Sequence, residues 1–224
     1  MSDRTTGRVI GALFLGAFVC YGFGGLLVES VAASEGSLHA VGENQARLTS
    51  GAILMLANSV IVAAIGILAY GVFHRRQGAA SLVYLIARVF EATVLAVGVV
   101  FVLLLVPLHE DPLASDALAN VVYAGNDISF QIAMIGLGLG SVWFFGALLH
   151  ERLVPSAWAV WGIVGYAALA LGAILELCGL GVGVWFAIPG GLFEVALGVT
   201  LITRGLPEAV VAEEHASQPA ELRH

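Results

Sequence analysis

Residues 48–73 read LTSGAILMLANSVIVAAIGILAYGVF, an apolar stretch that contains no charged side chain. An α-helix rises about 1.5 Å per residue, so about 20 such residues span the roughly 30 Å hydrocarbon core of a bilayer. Arg47 comes directly before the stretch, and His74, Arg75 and Arg76 follow it. The pattern predicts a transmembrane helix with charged residues at both ends.

The same pattern recurs along the rest of the chain. The predicted spans are residues 9–28, 48–73, 81–106, 128–149, 156–178 and 184–204. The last two spans belong to one long apolar stretch, which the glycine-rich segment 179–183 folds into a hairpin. The sequence therefore predicts an all-α fold, a polytopic membrane protein whose six transmembrane helices form a single domain of residues 1–205.

The composition of the whole chain agrees with this prediction. Charged residues make up 11% of the chain, and none of them is lysine, whereas an average soluble domain carries about 25% charged residues. These values exclude an ordinary soluble globule, a disordered protein and a nucleic-acid-binding protein. The expected surroundings are the lipid bilayer, and a membrane protein partner or a homo-oligomer remains open.

Arginine predicts the orientation, because short cytoplasmic loops retain positive charge. If the N-terminus is cytoplasmic, only Arg47 lies outside. The arginines that then lie inside are Arg4, Arg8, Arg75, Arg76, Arg152, Arg204 and Arg223. An even number of spans returns the C-terminus to the same side. The prediction is a multi-pass protein of the inner (plasma) membrane with both termini in the cytoplasm.

Two segments outside the spans have a predicted structure. Ser115 or Asp116 is expected to cap a short surface helix that leads into the fourth span. Residues 206–224 are polar and acidic, and they are predicted to form a disordered cytoplasmic tail.

Four charged residues lie inside the predicted spans: Arg88, Glu91, Glu176 and Glu194. A charge at the bilayer centre costs at least about 2.5–3.5 kcal/mol, so each is expected to face the bundle interior and to find a partner. Arg88 and Glu91 are three residues apart and share one helix face. One guanidinium can bridge two carboxylates, so we expect Arg88 to pair with both Glu91 and Glu194. Glu176 lies near the outer end of its span.

Two functions fit this polar centre. In the first, a buried Arg/Glu clasp fixes which helices adjoin, and the protein is a structural or regulatory membrane component. In the alternative, the centre binds or transports a small polar solute or a proton, because the three acids outnumber Arg88 and at least one carboxyl group lacks a cationic partner. The segment Pro189-Gly190-Gly191 before Glu194 fits either an unwound helix at a cavity or a packing kink.

Other chemistry has little support in the sequence. Asn44, Gln45, Arg47 and Asp127 are candidate polar residues of the outer face, near the start of the second and fourth spans. Histidines are confined to loops and tail, so no nucleophile has a visible base and no catalytic residue is assigned. No metal-ligand spacing and no cofactor motif occurs, and an enzyme is not expected.

Five short motifs occur in a recognisable order: RVIGALFL at 8–15, ENQARL at 43–48, ARVFE at 87–91, RLVP at 152–155 with Trp158 and Trp161-Gly162, and PGGLFE at 189–194. With these motifs the chain resembles the DUF4386 family of bacterial multi-span membrane proteins over about residues 5–206. The resemblance implies an integral membrane protein without an assigned activity, so no catalytic residue can be transferred. It also implies that Arg88, Glu91 and Glu194 belong to the family pattern, which suits both the clasp and the binding site.

Overall fold

The computed structural model describes residues 3–34 and 36–206, and the regular secondary structure in this part of the chain is helical. The tail predicted for residues 206–224 lies, apart from Leu206, outside the described residues. The helices are α1 (Asp3–Ala32), α2 (Ser37–Glu43), α3 (Gln45–Phe73), α4 (Gly78–His109), α5 (Asp116–His150), α6 (Ser156–Leu177) and α7 (Gly183–Arg204).

Six of these helices, all except α2, are long and apolar enough to cross a membrane. The predicted all-α fold of a polytopic membrane protein with six transmembrane helices is thereby confirmed. Large apolar side chains such as Phe23, Ile53 and Trp143 are exposed on the outside of the bundle. Water would make this surface unfavourable, whereas lipid tails solvate it, so the protein contacts the lipid bilayer through it.

One local prediction differs from the structure, and one pair of alternatives left open by the sequence is decided. The surface helix expected before the fourth span is not separate, because α5 runs without a break from Asp116 to His150. Ser115 caps the N-terminus of this helix, and its hydroxyl accepts a hydrogen bond from the Leu118 N–H at 3.3 Å. Of the two alternatives for Pro189-Gly190-Gly191, the unwound helix is excluded, because α7 continues through Pro189 as an α-helix.

The six long helices form a closed ring. In order around it, α1 packs on α3, α3 on α4, α4 on α5, α5 on α6, α6 on α7, and α7 returns to α1. Successive helices are therefore neighbours, as short connections require. The ring has one interior, and side chains that face it from different helices can meet there.

Glycine allows two pairs of helices to approach very closely. A Cβ atom built on Gly24 of α1 would lie 2.8 Å from the Gly51 carbonyl oxygen of α3, and one built on Gly11 would lie 2.5 Å from the Gly198 oxygen of α7. Small residues at helix contacts are the usual means of close packing in membranes, where the hydrophobic effect does not drive helices together. These contacts attach α1 to both of its neighbours in the ring.

The short helix α2 covers one end of the bundle. Asp116, the first residue of α5, accepts hydrogen bonds from the Leu38 N–H at 3.0 Å and from the Ser37 hydroxyl at 3.3 Å. Val41 of α2 is fully buried against a cluster that includes Leu48 and Val102. Helix α2 thus covers this end of α1, α3, α4 and α5.

The contact between Gly24 and Gly51 can be tested with Gly24→Ala. The added methyl group would meet the backbone oxygen of Gly51, which cannot move without displacing α3, so we expect the free energy of unfolding to fall by about 1–3 kcal/mol. The measurement is thermal or denaturant unfolding in detergent. The matched control is Gly25→Ala, where the same methyl group meets nothing within 4 Å; equal losses for both variants would contradict the packing argument.

Candidate functional site

The polar centre is built around Arg88 of α4. Its side chain is 1% exposed and faces the interior of the ring, together with Glu91 one turn further along the same helix. Glu194 faces them from α7, and its side chain is 16% exposed. These three residues, singled out in the sequence, lie together in the structure.

The Arg88 guanidinium joins both carboxylates. One terminal nitrogen, Nη1, donates to Oε2 of Glu91 at 3.0 Å, and the other, Nη2, donates to Oε1 of Glu194 at 2.7 Å. These are charge-assisted hydrogen bonds, which are about twice as strong as neutral ones. Because α4 and α7 are not neighbours in the ring, the second contact crosses its interior.

Two tyrosines that the sequence analysis did not identify complete the network. Tyr84 accepts a hydrogen bond from Nε of Arg88 at 2.9 Å. Tyr166 of α6 accepts from Nη2 at 3.1 Å and donates its hydroxyl hydrogen to Oε1 of Glu194 at 2.6 Å. Tyr84 precedes Arg88 by four residues, so helical spacing was a usable signal for it. No local sequence pattern connects Tyr166 to this centre.

Beside the network lies a cavity of about 240 Å³, to which all six long helices contribute. Its charged lining residues are Arg88, Glu91 and Glu194, and most of the remaining lining is apolar or glycine. The cavity faces the middle turns of the helices. With both carboxylates ionised, this lining carries a net charge of −1, since one guanidinium balances only one of them.

Several acceptor atoms at the cavity are unused. Within the described residues, Oε1 of Glu91 and Oε2 of Glu194 accept no hydrogen bond. Asn58 of α3 also lines the cavity; it is only 4% exposed, and its side chain has no hydrogen-bond partner in the described part of the chain. Among the described residues, the fully buried side-chain polar atom without a partner is the Ser141 hydroxyl oxygen, so the Asn58 amide is accessible from the cavity. The unused atoms therefore form a set of acceptors on the cavity wall.

Glu176, the fourth charged residue of the predicted spans, is not brought to this centre. Its Oε2 accepts a hydrogen bond at 2.7 Å from the N–H of Gly183, the first residue of α7. A carboxylate at this position satisfies a free N–H group and interacts favourably with the positive end of the helix dipole. Glu176 therefore stabilises the α6–α7 turn and lies outside the cavity lining.

The candidate residues of the outer face do not line the cavity either. Asn44, Gln45 and Arg47 lie exposed at the start of α3, and Asp127 is exposed on α5. The Asn44 side chain donates to the Ala40 carbonyl at 3.1 Å, a contact that belongs to the end of α2. Among the residues that the structure describes, no group of three or more His, Cys, Asp or Glu side chains could hold a metal ion.

Removal of the central cation tests the electrostatics of the network. We expect Arg88→Met to lower the free energy of unfolding by about 3–5 kcal/mol, because two buried carboxylates lose their partner. Unfolding in detergent measures the change. Arg47→Met removes an exposed arginine at the start of α3 and is expected to change stability by no more than about 0.5 kcal/mol. Similar losses for the two variants would show that Arg88 is not a buried ion-pair partner.

Comparison with known proteins places the chain in a family. No curated protein and no solved structure matches it significantly. A family model described as a domain of unknown function, DUF4386, matches residues 9–205, which include all but a small part of the described chain. The match contains the three charged residues of the polar centre. The chain therefore belongs to the DUF4386 family of multi-span membrane proteins.

Proposed function

We propose that this membrane protein binds a small, positively charged solute in the cavity, beside Glu91 and Glu194. The lining has one negative charge more than positive when both carboxylates are ionised, so a cation would restore neutrality in a region of low dielectric constant. Oε1 of Glu91 and Oε2 of Glu194 are free to accept its hydrogen bonds. Movement of the solute across the membrane is the natural extension of such binding.

Asn58 is the observation that carries this proposal. Its amide lines the cavity and has no hydrogen-bond partner in the described part of the chain, so its polar atoms are available to a bound solute. A clasp between α4 and α7 does not require Asn58, because Asn58 lies on α3 and forms no hydrogen bond with the network. A bound solute would supply the missing partner and explain why a polar residue occupies this position.

The second candidate is a structural or regulatory component in which the Arg88 network is only a clasp. In its favour, the network contains five hydrogen bonds, and three of them join α4, α6 and α7 to one another and so fix their arrangement. In that case the protein would act by binding a protein partner or a second copy of the chain. The binding role requires the Asn58 amide, whereas the clasp role does not.

Asn58→Leu separates the two candidates. In equilibrium dialysis of the full chain with radiolabelled methylammonium, we expect saturable binding and an affinity about 10–100-fold lower in Asn58→Leu, as for the loss of one hydrogen bond to a charged group. The melting temperature should not fall, because the substitution breaks no hydrogen bond among the described residues.

The control is Ser59→Ala, which changes the neighbouring buried polar residue. Ser59 bonds to the Met55 carbonyl of its own helix and does not line the cavity, so its removal should leave binding unchanged. Absence of saturable binding in the unmodified protein would reject the cation site and leave the clasp.

We also propose that the protein lies in the inner (plasma) membrane of a bacterial cell, with both termini in the cytoplasm. The distribution of arginine supports this orientation. The turn between α6 and α7 would then face outward, and the turn between α5 and α6 inward.

The exposed Cys178 provides a test of this orientation. In intact cells expressing Cys20→Ala, a membrane-impermeant maleimide should label Cys178 at the outward turn. With Cys20 and Cys178 both replaced by alanine, a cysteine introduced by Glu151→Cys at the exposed inward turn should react only after permeabilisation. The opposite pattern would invert the orientation.

A further inference from the structure

We propose that the solute is an organic amine with an apolar body, which reaches the cavity from the lipid through an opening between α1 and α7. This inference rests on the proposed function and specifies the class of its ligand. It is carried by three features of the cavity: the grouping of the acceptor atoms, the apolar nature of the other walls, and the exposure of residues on α1.

The acceptors suit an ammonium group that donates several hydrogen bonds. The free oxygens of Glu91 and Glu194, together with the unpartnered amide of Asn58, offer three acceptors from three helices. A protonated primary amine carries one charge and three N–H donors. Its binding would neutralise the lining and use the buried Asn58 at the same time.

The rest of the wall suits an apolar body. Around the polar centre the cavity is lined by aromatic and aliphatic side chains, among them Phe14, Phe130, Met134 and Leu137. A cavity of about 240 Å³ is far larger than a bare ammonium group, yet it falls below the roughly 300–1,000 Å³ typical of sites for drug-sized ligands. Hydration water of a small inorganic cation would contact mostly apolar walls. A short alkyl or aryl group fills the same space favourably.

The opening lies where α1 and α7 separate. The two helices are in backbone contact at Gly11 and Gly198, but at Gly191 the nearest atoms to a built Cβ are those of the Phe18 ring, at 3.7 Å. At Gly22, one turn beyond Phe18, a Cβ atom would meet nothing within 4 Å.

Phe18 and Gly22 both line the cavity, and both are exposed. They lie in the middle part of α1, a helix of spanning length, and the next large side chains on its exposed surface, Phe23 and Leu26, are apolar. The opening therefore faces lipid tails. A solute that uses it must itself partition into the bilayer, as an amine with an apolar body does.

The experiment measures the affinity of the full chain in detergent for three probes: 2-phenylethylamine, 2-phenylethanol and methylammonium. We expect 2-phenylethylamine to bind at least tenfold more tightly than the neutral alcohol, which lacks the charge, and at least tenfold more tightly than methylammonium, which lacks the apolar body.

Two variants test the opening. Gly22→Phe fills it from a position with free space and should slow association of 2-phenylethylamine at least tenfold. Gly25→Phe, on the same helix but outside the lining and equally free of contacts, should leave the rate unchanged.

The outcomes separate this inference from the proposed function. If methylammonium binds in a manner that depends on Asn58 and the phenyl group adds nothing, the cation site stands and the apolar ligand class is wrong. If the amine and the alcohol bind equally, the charge is irrelevant and both proposals fall. If affinities follow the expected order but Gly22→Phe and Gly25→Phe associate at the same rate, the ligand class stands and the opening between α1 and α7 is wrong.

Discussion

The structure depends on the need to satisfy one guanidinium group that is shielded from water. Arginine remains charged under all physiological conditions, so in an apolar bundle its N–H groups must find acceptors within the protein. Arg88 finds them on three helices: Tyr84 and Glu91 on α4, Tyr166 on α6 and Glu194 on α7. These bonds have directions, whereas the apolar contacts between the helices do not. The network therefore determines which faces of α4, α6 and α7 meet inside the ring.

The negative charge that the network leaves over gives the cavity its character. A guanidinium paired with one carboxylate would be neutral, and its surroundings could be filled with apolar side chains. The second carboxylate makes the lining acidic, and Asn58 adds an uncharged acceptor from α3. A purely structural network gains nothing from spare acceptors on a cavity wall, and this composition is what supports the proposed binding of a cation.

The sequence predicted the fold well, because crossing a bilayer imposes a length and a polarity that can be read directly along the chain. The six long helices follow from apolar runs, and the pairing of Arg88 with Glu91 follows from helical spacing. The ends of the helices were less predictable, and α5 begins at Asp116, well before the predicted span. Hydropathy identifies the part of a helix that lies in the membrane and does not give the full length of the helix. Tyr166 and Asn58 could not be assigned from sequence, because their importance arises only from contacts or cavities between helices that are distant in the chain.

The spacing of Arg88 and Glu91 also matters before the ring exists. During synthesis, α4 precedes α6 and α7, so Glu194 and Tyr166 are still missing when Arg88 first meets the membrane. Glu91 is already present three residues away on the same helix face, and it pairs with Arg88 within α4. The segment can thus enter lipid with its two charges offset by each other. In the finished protein this ion pair is one of several contacts of Arg88. In the newly made helix it is the contact that lowers the cost of inserting an arginine into the membrane.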